Sequence, residues 1–405
     1  GPDYTRVRLN GLEAQTTSNG LEGINRTRGF DFNVFAAELF NSLTVRKTPS
    51  AEVEEGSLGA TVDLQTAQPF DHTGAQFTVA AKMGYNDLSE ETDPRYAVLA
   101  SNTFLDDTLG VLFSAAYSES NKISQASHNL NWDRMTDNGG WCDPLNAAGV
   151  CFGEMPEGIS YEQLKSSSIY HPRIPRLAQF NVMNERLGMT TSLQWRPDES
   201  TEVSLDLLYS KHEGLRQESL LTPIGIFRGQ SQQGKPETIV REAEVRGNDL
   251  VYAMLDNVDL RAETSIFDFN TTFQQIGLTI EHEFSDRLRA DVQLGTSDSD
   301  FDEPRETTIQ VDRLNTDGFI YDFRESMTLP RIVWGFDTND PENYYFGPAQ
   351  PGFTSGSTGP EIRLRPQAVD NSFEQAEINF AFDATAVWTL KSGLSLREYT
   401  VDSDS

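Results

Sequence analysis

Two cysteines, Cys142 and Cys151, are separated by eight residues in a segment rich in Gly, Asn and Pro. Two isolated thiols this close in a loop predict one disulfide and an oxidising compartment. A zinc site would need more ligands, and only His128 and His171 lie nearby, so no metal site is expected. The run Ser297-Asp298-Ser299-Asp300-Phe301-Asp302-Glu303 offers oxygen ligands of the kind calcium takes. It lacks the glycine and the distal glutamate of a calcium-binding loop, and reads as solvated charge at a strand-to-loop junction. Trp132 and Trp141 in one long polar stretch, and Tyr344, Tyr345 and Phe346 in another, present rings that could stack on sugars. The same rings could equally pack loops together. There is no phosphate-binding loop and no defensible Ser/His/Asp set, so neither an enzyme nor a cofactor is expected.

The chain that positions these residues has 405 residues, enough for two or three ordinary domains or one large β-structure. Its 62 acidic and 32 basic residues give a formal net charge of -30. Such a field repels phosphate backbones and excludes nucleic acid as a partner. Mean hydropathy is -0.48, and no run approaches the ~18 apolar residues of a membrane-crossing helix. A transmembrane barrel is not excluded, because its strands show lipid only every second residue.

From about residue 76 onward apolar and polar residues alternate, as in strands with two different faces. Leu187, Met189, Leu193 and Trp195 share one phase, and so do Val203, Leu205, Leu207 and Tyr209. Leu288, Ala290, Val292 and Leu294 repeat the pattern, as do Ile276, Leu278, Ile280 and Phe284, with His282 falling on their apolar phase. Ile378, Phe380, Phe382, Ala384, Ala386 and Trp388 form the last such series. Four tight connections, at 105–108, 197–200, 285–287 and 391–393, alternate with long polar stretches near 121–175, 216–265 and 301–372 and a short one near 87–93. Short turns at one end and long loops at the other are the asymmetry of outer-membrane barrels.

Phe104, Trp195, Phe284 and Trp388 each stand on the apolar phase just before a tight turn. Aromatics repeated at one level build the girdle where a barrel meets the membrane interface. Strands are expected at roughly 76–86, 94–104, 109–120, 177–196, 201–215, 266–284, 287–300, 374–390 and 394–402. Nine is odd where bacterial barrels close on an even number, and the last residues carry no aromatic strand. The expectation is a mainly β chain whose antiparallel barrel continues beyond this sequence. Gly1-Pro2-Asp3-Tyr4 opens in mid-pattern without a signal peptide, as a trimmed chain would.

Residues 1–72 read as a small α/β module. A strand over Tyr4–Asn10 runs into Gly11, and a short amphipathic helix is expected around Asn33–Leu39 with Phe35, Ala36 and Leu39 buried. Strands at 43–47 and 61–66 follow, separated by Pro49 and by the glycines Gly56 and Gly59. The segment from Phe35 to Ala51 and its continuation from Glu54 to Asp71 resemble the plug domain of TonB-dependent receptors. The version is most similar to the branch common in Xanthomonas- and Caulobacter-like bacteria. Lys47, Pro49, Ser50, Glu55, Gly56, Gly59, Thr66 and Pro69 carry the resemblance, and Val7-Arg8-Leu9-Asn10-Gly11 matches an earlier plug strand. Gly59-Ala60 stands where many relatives have two glycines, and the box that contacts TonB is not among these residues.

The resemblance implies a plug in residues 1–72, a truncated barrel in 73–405, and location in the bacterial outer membrane. It implies TonB-driven import of a nutrient, with TonB and outer-membrane lipid as partners. An oligosaccharide is the expected cargo, because the branch is associated with carbohydrates. A ferric siderophore or other metal chelate is the alternative. A passive porin-like barrel and a secreted β-rich binding module are the readings from other classes.

Overall fold

The structure is a computed structural model that describes residues 4–17, 19–20, 23–24, 29–48, 58–134, 139–140, 159–164, 166, 168–228, 238–348 and 359–404. Cys142, Cys151, Trp141, Pro49, Ser50, Glu55 and Gly56 lie outside the described residues.

The N-terminal part folds round a four-stranded sheet. Strand β1 (Thr5–Leu9) pairs with β2 (Leu12–Glu13) on one side and runs parallel to β6 (Ala60–Thr66) on the other, and β5 (Phe40–Arg46) closes the order β2-β1-β6-β5. A two-residue ribbon, β3 (Asn19–Gly20) with β4 (Gly23–Ile24), lies between. The expected helix over Asn33–Leu39 is absent. Two 3-10 turns, Phe32–Val34 and Ala37–Leu39, replace it, with Phe35 and Ala36 extended between them. Seven residues are too few to offset helix nucleation, and Asp31 caps only the first turn by accepting from the Asn33 N–H at 2.8 Å. The expected buried face survives: Phe35, Ala36 and Leu39 are all buried.

From Gln76 the chain builds one antiparallel sheet of nine long strands. In order across the sheet these are β7 (Gln76–Asn86), β8 (Glu91–Phe104), β9 (Leu109–His128), β13 (Arg176–Asp198), β14 (Thr201–Ile224), β18 (Val258–Ser285), β19 (Leu288–Thr316), β23 (Gln367–Asp383) and β24 (Thr389–Asp404). The chain is mainly β, as its alternation predicts. One outward side chain per strand shows the pattern: Val79, Tyr96, Phe113, Met189, Leu207, Ile276, Leu294, Phe380 and Leu394 are all exposed. The opposite face buries small polar groups, including Ser114, Thr190, Ser192, Ser210, Thr271 and Ser297. This inverts the arrangement of a soluble sheet. Phe104, Trp195 and Phe284 stand exposed at the short-turn end. Eight residues separate Phe104 from Tyr96 on β8, a band roughly 26 Å long at ~3.3 Å per residue.

Two sequence expectations need correction here. The last tight turn is 384–388 rather than 391–393, because β23 stops at Asp383 and Asp383 pairs with Thr389. Thr385 closes this turn by accepting from the N–H groups of Val387 and Trp388, so Ala384, Ala386 and Trp388 are turn residues. The stretches expected to be loops also hold much strand. β18 and β19 run for 28 and 29 residues, since beyond the apolar band both faces are polar and alternation no longer marks the strand. The acidic run Ser297–Glu303 accordingly lies within β19, with Ser297, Ser299 and Phe301 buried on one face.

Beyond the long-connection end lies a second sheet with its own core. It joins β10 (Trp132–Arg134), β12 (Tyr170–Pro172), β17 (Asp249–Asp256), β20 (Phe319–Asp322) and β21 (Arg331–Val333), with β16 (Ile239–Arg246) paired to β17. Leu250, Ala253, Leu255, Phe319 and Tyr321 are fully buried in it. Short pieces complete the architecture: β11 (Gly139–Gly140) pairs with β15 (Phe227–Arg228), and β22 (Ile362–Leu364) with β19. Leu255→Ala should cost about 2–5 kcal/mol, the usual range for emptying a packed leucine site. Amide exchange should quicken across 239–256 and 319–322 while β9, β13 and β14 keep their protection.

An ionic brace adds a pH dependence to this second sheet. Arg324 pairs with Asp322 at 2.6 Å and with Glu244 at 3.3 Å, and its guanidinium lies 3.9 Å from the Tyr252 ring centroid. The hydrogen bonds from Arg324 hold the Asp322 carboxyl below its ordinary value. A depressed carboxyl stabilises the fold above its unfolded pKa of ~3.9, and the stabilisation disappears as pH falls through the folded value. Exchange at Phe319–Val333 should therefore accelerate in acid below about pH 4; in Arg324→Gln that acid dependence should flatten.

Candidate ligand cavity

The N-terminal module sits on the polar face of the large sheet and touches eight of its nine long strands, all but β7, among the described residues, so the sheet wraps round it. Wall side chains donate to the module's main-chain oxygens. Gln275 reaches the Leu9 carbonyl at 2.9 Å, Gln293 that of Asn10 at 3.0 Å and Ser297 that of Glu13 at 3.3 Å. Ser210 donates to the Val34 carbonyl at 2.7 Å and Thr271 to that of Thr17 at 2.8 Å. On β23 and β24, Asn371 donates to Thr17 Oγ1 at 3.1 Å and Tyr399 to Glu13 Oε2 at 2.7 Å. Two apolar patches join the two parts: Phe35 meets Phe273 edge-on with centroids 5.1 Å apart, beside Leu208, and Ala36 and Leu39 pack against Ala116.

Above this seat lies a cavity of about 690 Å³ between the module and the wall. The turns from Phe32 to Glu38 form its module side. Strands β8, β9, β13 and β14 present Arg95, Lys122, Arg186 and Arg216, and β18 presents Phe269. Arg216 pairs with Glu218 at 3.2 Å and lies 4.0 Å over the Phe267 ring. Arg186 donates through Nε to the Asn33 carbonyl. Among the described residues, Arg95, Lys122 and Arg186 have no carboxylate within 4.0 Å. Elsewhere most arginines are paired, as Arg8 and Arg46 both are with Asp63 and Arg261 is with the fully buried Asp312 at 2.7 Å. His212 adds an imidazole whose Nε2 meets Asn184 Oδ1 at 2.9 Å, with its ring edge-on to Phe269. Arg95, Lys122, Arg186 and Arg216 outnumber Glu38 and Glu119 round this partly apolar cavity, and a surplus of cations favours an anion.

The residues singled out from sequence fall in three places. Lys47 is exposed just after β5, and Thr66 is buried at the end of β6, where its N–H donates to Asn10 Oδ1 at 3.0 Å. Gly59 donates its N–H to the Tyr4 carbonyl at 2.8 Å, and a Cβ there would stand 3.2 Å from that oxygen. Pro69 opens a 3-10 turn whose Phe70 lies 4.2 Å beneath the Arg196 guanidinium. Trp132 is on β10 against Phe323, with centroids 5.2 Å apart. The Tyr344 ring meets Phe336 edge-on, and Tyr344 and Tyr345 donate their hydroxyls to the carbonyls of Thr338 and Pro348. None of these aromatics lines the 690 Å³ cavity. Sequence reasoning missed its cations. Their signal was available: Arg95 and Arg186 stand on the inward phase of their strands, where neighbouring positions hold small polar groups.

No family model matches the chain and no curated protein matches it. Among solved structures it is similar to BauA, the ferric preacinetobactin receptor from Acinetobacter baumannii, at 13% identity and a TM-score of 0.29, covering 98% of this chain and 50% of that one. The siderophore receptor PiuA of the same organism is 10% identical with a TM-score of 0.30, covering 99% and 54%. The ferripyoverdine receptor of the outer membrane of Pseudomonas aeruginosa is 10% identical with a TM-score of 0.31, covering 98% and 46%. The chain thus spans about half the length of these structures. At such scores the likeness does not bear on function.

Proposed function

We propose that this protein is an outer-membrane receptor that imports an anionic small ligand, with residues 1–72 as its plug and 73–405 as part of its barrel wall. The observation that carries the reading is the pairing of surfaces on one sheet. An apolar band faces outward on all nine strands, and a polar inner face holds the N-terminal module below a cavity lined by more cations than carboxylates. Lipid would cover the band, with Phe104, Trp195 and Phe284 at the interface. TonB would act on the plug through a box outside these residues, and the segment holding Lys47, Pro49, Ser50, Glu55, Gly56, Gly59, Thr66 and Pro69 supports that assignment by its resemblance. The cations favour an anionic chelate such as a ferric siderophore over a neutral oligosaccharide. The loop aromatics that suggested a sugar supply no comparable support, since Trp132 and Tyr344 stack on other rings of the loops.

Membrane fractionation with heat-modifiable gel mobility tests the barrel, and uptake by a deletion strain tests the cargo. The expected result is membrane-bound, heat-modifiable protein, and a strain that loses uptake of anionic ferric chelates but keeps maltodextrin uptake. Soluble protein without a mobility shift would sink the whole reading. Lost maltodextrin uptake with normal iron uptake would return the cargo to the sugars.

A further inference from the structure

Glycines on the inner wall stand where module side chains leave no room for a Cβ. A Cβ on Gly188 would lie 2.3 Å from Leu39 Cδ1, and one on Gly295 would lie 2.2 Å from Leu12 Cδ1, with Gly277, its partner on the neighbouring strand, giving 3.0 Å to the same atom. Leu12 and Leu39 are therefore pegs in sockets cut through the side-chain layer of the wall. The two sockets differ in what surrounds them. Leu12 is wholly buried in the β1–β2 turn, and the wall grips that turn through the bonds from Gln275, Gln293, Ser297 and Tyr399. Around Leu39 the contact is apolar only, with Ala36 and Ala116. Among the described residues, no hydrogen bond joins 36–40 to the wall.

Position sharpens the contrast. Ala36, Ala37 and Glu38 line the cavity immediately before Leu39, and Arg186 lines it two residues before Gly188 on β13. Leu39 and Gly188 do not line the cavity themselves, so the socket lies directly behind its lining on this side. Resting on the receptor reading above, we propose that Leu39 in its Gly188 socket is the gate beneath the ligand cavity, and that Leu12 in the Gly277/Gly295 socket is the anchor that stays. Withdrawal of Leu39 breaks no hydrogen bond between 36–40 and the wall among the described residues, and opens a gap along β9 and β13. Withdrawal of the Leu12 turn would strip four donors of their acceptors.

The test measures entry of the chromogenic cephalosporin nitrocefin into intact cells that export the protein and carry a periplasmic β-lactamase. Deleting residues 29–40 is the positive control for a pore. Leu39→Ala and, independently, Gly188→Val should raise entry severalfold, whereas Leu12→Ala should leave it near the unsubstituted level. The size swap Leu39→Ala with Gly188→Val should bring entry back down, which a mere loss of folding would not do. If the control leaks but Leu39→Ala does not, or if Leu12→Ala leaks more than Leu39→Ala, the gate assignment is wrong. If even the control fails to leak, the receptor reading beneath it is wrong.

Discussion

Phe273→Ala should destabilise the protein by about 3–5 kcal/mol, the range for emptying a fully buried phenylalanine site. Phe273 lies on the inner face of β18 and is fully buried against Phe35, in the same cluster as Val7, Leu9, Val34, Val62 and Leu64. Here the larger part of the module's core runs into the wall, so the substitution removes the centre of a shared core. Phe113→Ala is the matched control: its ring points outward and is 43% exposed. The control should change stability by less than ~1 kcal/mol, as substitutions away from buried features usually do. Denaturant unfolding in detergent, followed by protease protection of residues 29–40, checks both variants. Equal losses at the two positions would mean that the inward and outward faces have been assigned wrongly.

A combined Arg95→Gln, Lys122→Gln, Arg186→Gln variant should lose at least about a hundredfold in affinity for ferric citrate or whichever anionic chelate the uptake assay identifies. A hydrogen bond to a charged partner contributes roughly 1.5–3 kcal/mol, and three are removed at once. Outward Lys211→Gln, whose ammonium already pairs with Glu213 at 2.6 Å, should leave affinity unchanged. Affinity should also fall with ionic strength in the native protein and much less in the triple variant. Undiminished binding by the triple variant would place the ligand elsewhere.

How much of this was legible in the sequence depends on contrast between the two phases of a strand. Where Leu207 alternates with Asp206 and Leu208 faces the module, the outward phase is plain and β14 was found. Above the band, residues such as Glu306, Thr307 and Thr308 differ too little to show a face, so the upper reaches of β18 and β19 were read as loop. The second sheet was missed for the opposite reason. Leu250-Val251-Tyr252-Ala253-Met254-Leu255 is a continuous apolar run of the kind a core strand gives, with Leu250, Val251, Ala253 and Leu255 buried, but it lay inside a stretch already assigned to a loop. The turn at 384–388 failed because Ala384, Thr385 and Ala386 suit a strand and a turn equally well. The helix near Asn33 failed because apolar spacing does not reveal that the wall holds the segment from outside, at Val34 and Leu39. The cavity's cations and the wall glycines were visible as residues, yet their meaning depends on which side chains of residues 1–72 come to rest against them.

The seat of the module on Gln275, Gln293, Ser297, Ser210 and Thr271 has a further consequence. Each of these side chains grips a main-chain oxygen, which every residue type possesses, so the grip does not read the module's sequence. A water molecule can take over any of these bonds one for one at nearly the same enthalpy. Away from the Leu12 turn the boundary is therefore a wetted bearing: at Ser210 and Thr271 hydration replaces contacts singly as the module shifts, whereas the Leu12 turn must give up four bonds and a buried side chain together. Selection on this surface falls on the dry points, Leu12, Leu39 and Phe35, and on the few side chains the wall does read, Glu13, Thr17 and Gln68.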